Sequence, residues 1–287
     1  MGFEAIEEML MASQNDAQIL WKIILEEDMK ERHIEKKESM RQMAQMYSAM
    51  KSSIKAYDPK EKSNSHLVGG DAFKLEEAMY QGKLISGGFM NKVMLRAICV
   101  SECNACMKRI VAAPTAGSCG VLPAVLTTFQ EERNVSDEEM VKALYIAAGI
   151  GEIIAKRASI SGAEGGCQAE IGSASSMSAA ALTYLNGGSA SAISHAAAIA
   201  LKNLLGLVCD PVAGLVEVPC VKRNVIGAIN AIAAADMAVA GITSIIPPDE
   251  VIDAMASIGE QLPKSLKETA EGGLAMTPTG LKIAERL

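Results

Sequence analysis

Residues 209–220 read CDPVAGLVEVPC, two cysteines enclosing an apolar stretch, each close to a proline. A third cysteine, Cys167, follows Gly165-Gly166 in SGAEGGCQAEIGSASSMSAAAL. All three sit at punctuated positions, with glycines before Cys167, Asp210-Pro211 after Cys209 and Pro219 before Cys220. Turns of this kind aim side chains inward from helix ends and leave backbone N–H groups free to donate to an anionic group. Three thiolates presented by separate turns form a donor set for an iron–sulfur cluster or zinc. The spacings, 209 − 167 = 42 and 220 − 209 = 11 residues, match no compact ligand motif. From spacing alone, three buried cysteines remain the competing reading.

A rival triplet, Cys99, Cys103 and Cys106 in AICVSECNACMKRI, satisfies C-x3-C-x2-C and resembles the cluster motif of radical SAM enzymes. Its context argues for packing. In a helical run, positions i, i+4 and i+7 share one face, which suits three small buried side chains. Ala105 also stands where that family carries an aromatic residue, and no strand-rich pattern surrounds it. Cys119 is read as buried too.

Seven cysteines are an odd number, which does not suit a full set of disulfides. The opening MGFEAIEEML lacks the basic-then-apolar layout of a secretory signal, so a cytoplasmic location and reduced thiols are expected. A net charge of −7 argues against a general nucleic-acid binder, whose affinity rests on clustered Lys and Arg. The run Val225–Ile246 is long enough to span a bilayer. Asp236 near its middle would cost about 2.5–3.5 kcal/mol there, so a buried core helix is expected and no membrane span.

Strand signals are scarce: aromatics make up 3% of the chain, and Ala, Met, Leu and Glu dominate long stretches. An all-α fold follows, with central buried helices because many helical runs are apolar on several faces. With 287 residues, 49% of them hydrophobic, the chain has enough material for a large core. Residues 1–58 read as a charged helical arm ending at Asp58-Pro59, and residues 59–287 as an all-helical catalytic domain. The clearest helix start is VSDEEM, where Ser136 and Glu139 make a capping box and a helix over 137–157 follows. Further helices are expected over roughly 71–82, 91–111, 121–132, 170–185, 189–206, 224–243 and 249–258, the last after Pro247-Pro248.

Three longer segments carry a family likeness: APTAGSCGVLPAVL (113–126), GCQAEIGSASSMSAAAL (166–182) and CDPVAGLVEVPCVKRN (209–224). Together they resemble the α chain of iron–sulfur-dependent L-serine dehydratases, over about residues 60–280. The resemblance implies a [4Fe–4S] cluster on Cys167, Cys209 and Cys220, and L-serine as substrate, with no need for pyridoxal phosphate. It also implies a separate β subunit, because the family's β part is missing from this stretch, and it leaves room for a homo-oligomer of the α chain. Within that reading, Thr115, Gly117 and Ser118 of the loop PTAGSCG are candidates to hold the substrate carboxylate at a helix start. The loop KSNSHLVGGD adds Ser63, Asn64 and Ser65, and His66 as a candidate general base. Lys222 and Arg223, with Asn224, are candidates to bind carboxylate or balance cluster charge. His195 reads as a hydrogen-bonded core residue and His33 as surface. Two alternatives stay open: a cluster-dependent elimination of sulfide from cysteine, and a non-catalytic helical subunit.

Overall fold

The computed structural model describes residues 2–287, and among them no strand occurs. The sole pairing of extended segments is a parallel bridge between Cys209 and Lys267. The N-terminal charged run forms α1 (Ile6–Ser13), α2 (Ala17–Arg32) and α3 (Lys36–Lys55), and helix stops just before Asp58-Pro59. Its apolar face is not left on its own. Leu20, Trp21, Ile24, Leu25, Tyr47 and Met50 share one core with Met140, Leu144 and Ile150 of a later helix.

Two helices follow, α4 (Asp71–Tyr80) and α5 (Gly88–Ala105). The buried Glu102 carboxylate on α5 accepts the Asp71 backbone N–H at 3.0 Å. A negative charge there satisfies a free donor and the positive end of α4 together. The periodicity of this region predicts a helix to residue 111, yet α5 ends at Ala105, because Met107 turns into the left-handed region at φ 59°. Cys99 and Cys103 are buried on α5, and the Cys103 thiol donates to the Ser53 carbonyl at 3.3 Å. Two of the three thus pack as expected, whereas Cys106 does not, because α5 has already ended at Ala105. Cys106 alone of the seven cysteines is not buried. It is expected to react first with a stoichiometric maleimide in the cofactor-free native chain, which peptide mapping reads out; earlier labelling of Cys99 or Cys103 would contradict this packing.

The centre comprises α6 (Val121–Arg133), α7 (Asp137–Arg157), the short α8 (Gly162–Gly165), α9 (Ser173–Leu185) and α10 (Ala190–Lys202). Ser136 caps α7 by accepting the Glu139 N–H at 3.2 Å. Only half of the expected capping box forms, because the Glu139 carboxylate turns instead to Lys142 and Tyr184. Every residue of α9 from Ser173 to Tyr184 is buried, packed by α6, α7, α10 and α11 (Cys220–Val239). Three of its serines can be buried because their hydroxyls return to backbone carbonyls: Ser175 donates to Gly227, Ser176 to Ala197 and Ser178 to Ala174, at 2.8, 2.9 and 2.7 Å.

Two helix starts differ from expectation. The α9 rod is preceded by a π-helical turn, Gln168–Gly172, and α11 begins at Cys220, four residues before the expected 224. Pro219 occupies the cap of α11, where a missing N–H costs nothing. The chain ends with α12 (Pro248–Gln261), a stretch of short 3-10 turns, and α13 (Pro278–Ala284). His195 on α10 accepts the Ser244 N–H at 3.3 Å, hydrogen-bonded as expected, but it is half-buried at the edge of the core and not inside it. No helix among the described residues is long and apolar enough to cross a membrane.

Candidate metal and substrate site

The segments that carry the three punctuated cysteines are each anchored by hydrogen bonds. Cys167 opens the π-helical turn directly after Gly166, whose φ of 76° suits glycine. The next residue anchors that turn: the Gln168 N–H donates to the Leu207 carbonyl at 2.9 Å, and its side-chain amide donates to Met255 at 3.1 Å. Cys209 lies in extended backbone. Its N–H donates to Leu266 and its carbonyl accepts from Glu268, both at 2.9 Å. Cys220 is the first residue of α11, and one turn later the buried Asn224 side chain donates to the Cys220 and Gly117 carbonyls at 2.9 and 2.8 Å. Asn224 also accepts the Gly120 N–H at 2.8 Å. The loop PTAGSCG is thereby fastened to the helix that carries Cys220.

The three thiols are buried and lie within electrostatic reach of one another. Burial pushes all three up, Cys167 and Cys220 to about 12. The charges of Cys167 and Glu170 add to the rise at Cys209 and Cys220, and the Arg223 guanidinium opposes it at Cys167. Gly162 faces this cradle. A Cβ built there would lie 2.8 Å from Glu170 Oε2, 3.1 Å from Cys209 Sγ and 3.1 Å from Glu268 Oε2. A larger residue would fill the space that thiols and carboxylates share. Among the described residues, no three His, Cys, Asp or Glu side chains converge tightly enough to share a single metal ion. Three cysteine sulfurs are a donor type that both zinc and iron–sulfur groups take.

Thr115 Oγ1 donates to Glu170 Oε1 at 2.6 Å, and the Ser118 hydroxyl lies against the Thr115 hydroxyl and backbone at 3.1–3.4 Å. The loop's two hydroxyls therefore present Glu170. Gly117 permits the contact, since a Cβ there would be 2.8 Å from Glu170 Oε1. Burial raises the Glu170 pKa, Thr115 lowers it, and the Glu268 charge raises it. Sequence reasoning passed over Glu170, although it stands three residues after Cys167 in GCQAE.

The second polar loop is brought to the cysteine segment by its serines. Ser63 and Ser65 both donate to the buried Glu217 carboxylate, which lies within CDPVAGLVEVPC. Lys222 adds an ion pair with Asp71 at the end of that loop. Asn64 and His66 are exposed, and His66 has a left-handed φ of 62°. Arg223 is occupied: it donates to Val208 O and pairs with Asp210, each at 2.8 Å. Asp210 in turn accepts the Leu274 N–H at 2.8 Å. Lys222 and Arg223 thus tie elements together on opposite sides of the Cys220 helix start.

An all-helical scaffold with buried thiols and carboxylates gathered at its helix ends defines the general class. The chain belongs to the serine dehydratase alpha chain family, whose profile matches residues 14–275. It is 45% identical over 285 residues, 99% of this chain and 95% of the other, to the probable L-serine dehydratase, alpha chain, of Bacillus subtilis. The L-serine dehydratase, alpha chain, of Peptoniphilus asaccharolyticus is 43% identical over 265 residues, covering 92% of this chain and 91% of that one. L-serine dehydratase TdcG of Escherichia coli is 43% identical over 210 residues, 71% of this chain but 46% of the relative.

Proposed function

We propose that the chain is the α component of an L-serine dehydratase, a lyase that removes water from L-serine to leave aminoacrylate, which becomes pyruvate and ammonia. Its close similarity to two alpha chains of that name over nearly their full lengths supports the activity. The observation that carries the site is the shared burial of Cys167, Cys209 and Cys220, three thiols from separate segments around one cradle. In this reading those cysteines hold a [4Fe–4S] cluster, which when bound supplies a Lewis acid for the poor hydroxide leaving group.

The chain's own residues do the remaining work. Asn224 locks the loop 114–120 against the start of α11, so that Thr115 and Ser118 hold a fixed wall. Ser63 and Ser65 dock the loop carrying His66 on Glu217, beside the cysteine segment. His66 is the candidate to remove the α-proton, since an imidazole nitrogen can serve as a general base. A separate β subunit completes the enzyme. The names of the two relatives matched over nearly their full lengths, each an alpha chain, support this.

The test is an anaerobic assay of the reconstituted chain with its β subunit. Pyruvate from L-serine is the expected product, and hydrogen sulfide from L-cysteine without pyruvate from serine would sink the reading. A protein free of iron and sulfide after reconstitution would favour the non-catalytic alternative.

A further inference from the structure

We infer that Glu170 is the residue that receives the α-ammonium group of the substrate, holding it in the cradle formed by Gly162, Cys209 and Glu268. The inference rests on the dehydratase reading for the identity of the substrate, and on geometry for the rest. Glu170 is 8% exposed, and its Oε1 is oriented by Thr115 at 2.6 Å. Its Oε2 points to the Gly162 side, where it accepts no hydrogen bond from the described residues. Glu268 Oε2 and Cys209 Sγ border the same space. Glu268 stands on strained backbone at φ 59°, a conformation uncommon outside glycine.

Two carboxylates facing buried thiols call for positive charge. Neither Glu170 nor Glu268 has an ion-pair partner among the described residues, and the guanidinium beside Cys167 is already paired with Asp210. A cluster carried by thiolates is itself an anionic neighbour and does not supply the missing cation. An amino-acid substrate brings one, in the form of an ammonium with three donors. Glycines at 117 and 162 keep the approach to both Glu170 oxygens open, since a side chain at either would collide with them. The arrangement also gives discrimination. A 2-hydroxy acid of the same skeleton, L-glycerate, has no charge to offer Glu170.

The experiment uses the reconstituted α and β chains and Glu170→Gln, which keeps size and removes charge. Binding of L-serine is read by calorimetry, alongside inhibition by L-glycerate and the iron and sulfide content. The expected result is an affinity for L-serine roughly 10- to 100-fold weaker, with L-glycerate unchanged and cluster content intact. An unchanged affinity for L-serine, or equal losses for both ligands, overturns the inference. Loss of iron and sulfide also overturns it, because Glu170 would then serve the cluster. If the glutamine variant does not fold, Glu170→Asp decides: it retains the charge at a shorter reach, so selective weakening of L-serine is expected and equal weakening refutes. A wild-type enzyme that binds L-serine without forming pyruvate would refute the dehydratase reading while leaving the ammonium site standing.

Discussion

Cys209→Ala in the anaerobically reconstituted enzyme is expected to lose iron and sulfide and to lower pyruvate formation at least about a thousandfold. Lewis-acid help to a leaving oxygen is worth several kcal/mol, and each 1.36 kcal/mol is about tenfold in rate. The same loss is expected for Cys167→Ala and Cys220→Ala. Cys103→Ala is the control. Its thiol donates to the Ser53 carbonyl of α3, so it should leave cluster content and turnover near wild type and cost about 1–2 kcal/mol of stability. Iron analysis and the visible absorption of the cluster check both. Loss confined to Cys103→Ala would move the site to the α5 triplet.

Arg223→Met is expected to destabilise the chain by roughly 3–5 kcal/mol, because it leaves a buried carboxylate without its partner. The side chains of Arg223 and Asp210 are 16% and 5% exposed, so solvent screens the pair little. The same change frees the Val208 carbonyl, next to Cys209. The urea midpoint reads the loss, and adding Asp210→Asn should restore part of it, since a neutral amide tolerates burial better than a lone charge. Were Arg223 instead a carboxylate binder, as its place after a cysteine first implies, the single variant would raise the KM for serine and leave the midpoint unchanged.

Helix class and most helix centres were legible because they depend on periodicity and capping, which are local. Ser136 marks the start of α7 at the residue expected, and Pro247-Pro248 marks α12. Boundaries failed where tertiary geometry decides. No local signal says that Met107 will take a positive φ and end α5, or that the residues after Cys167 will form a π turn. The cysteines themselves were visible, whereas their convergence was not, since a separation of 42 positions carries no distance information. Glu170 was equally visible as a letter. Its meaning came only when folding placed Gly117 and Gly162 against its two oxygens. The residues 264–274 gave no hint at all, because most of what they do runs through backbone groups: Leu266 and Glu268 bracket Cys209, and Leu274 binds Asp210.

Those last contacts have a consequence for biosynthesis. A ribosome releases the chain from its N-terminus, and domains fold as units while synthesis continues. Cys209 receives its two backbone partners, and Asp210 its backbone donor, only after residues 266–274 have emerged, 57 or more residues after Cys209. The cradle therefore closes last, around a helical body already able to pack. A chain stopped near residue 263 would leave the Cys209 backbone without both of these partners and Asp210 without the Leu274 N–H.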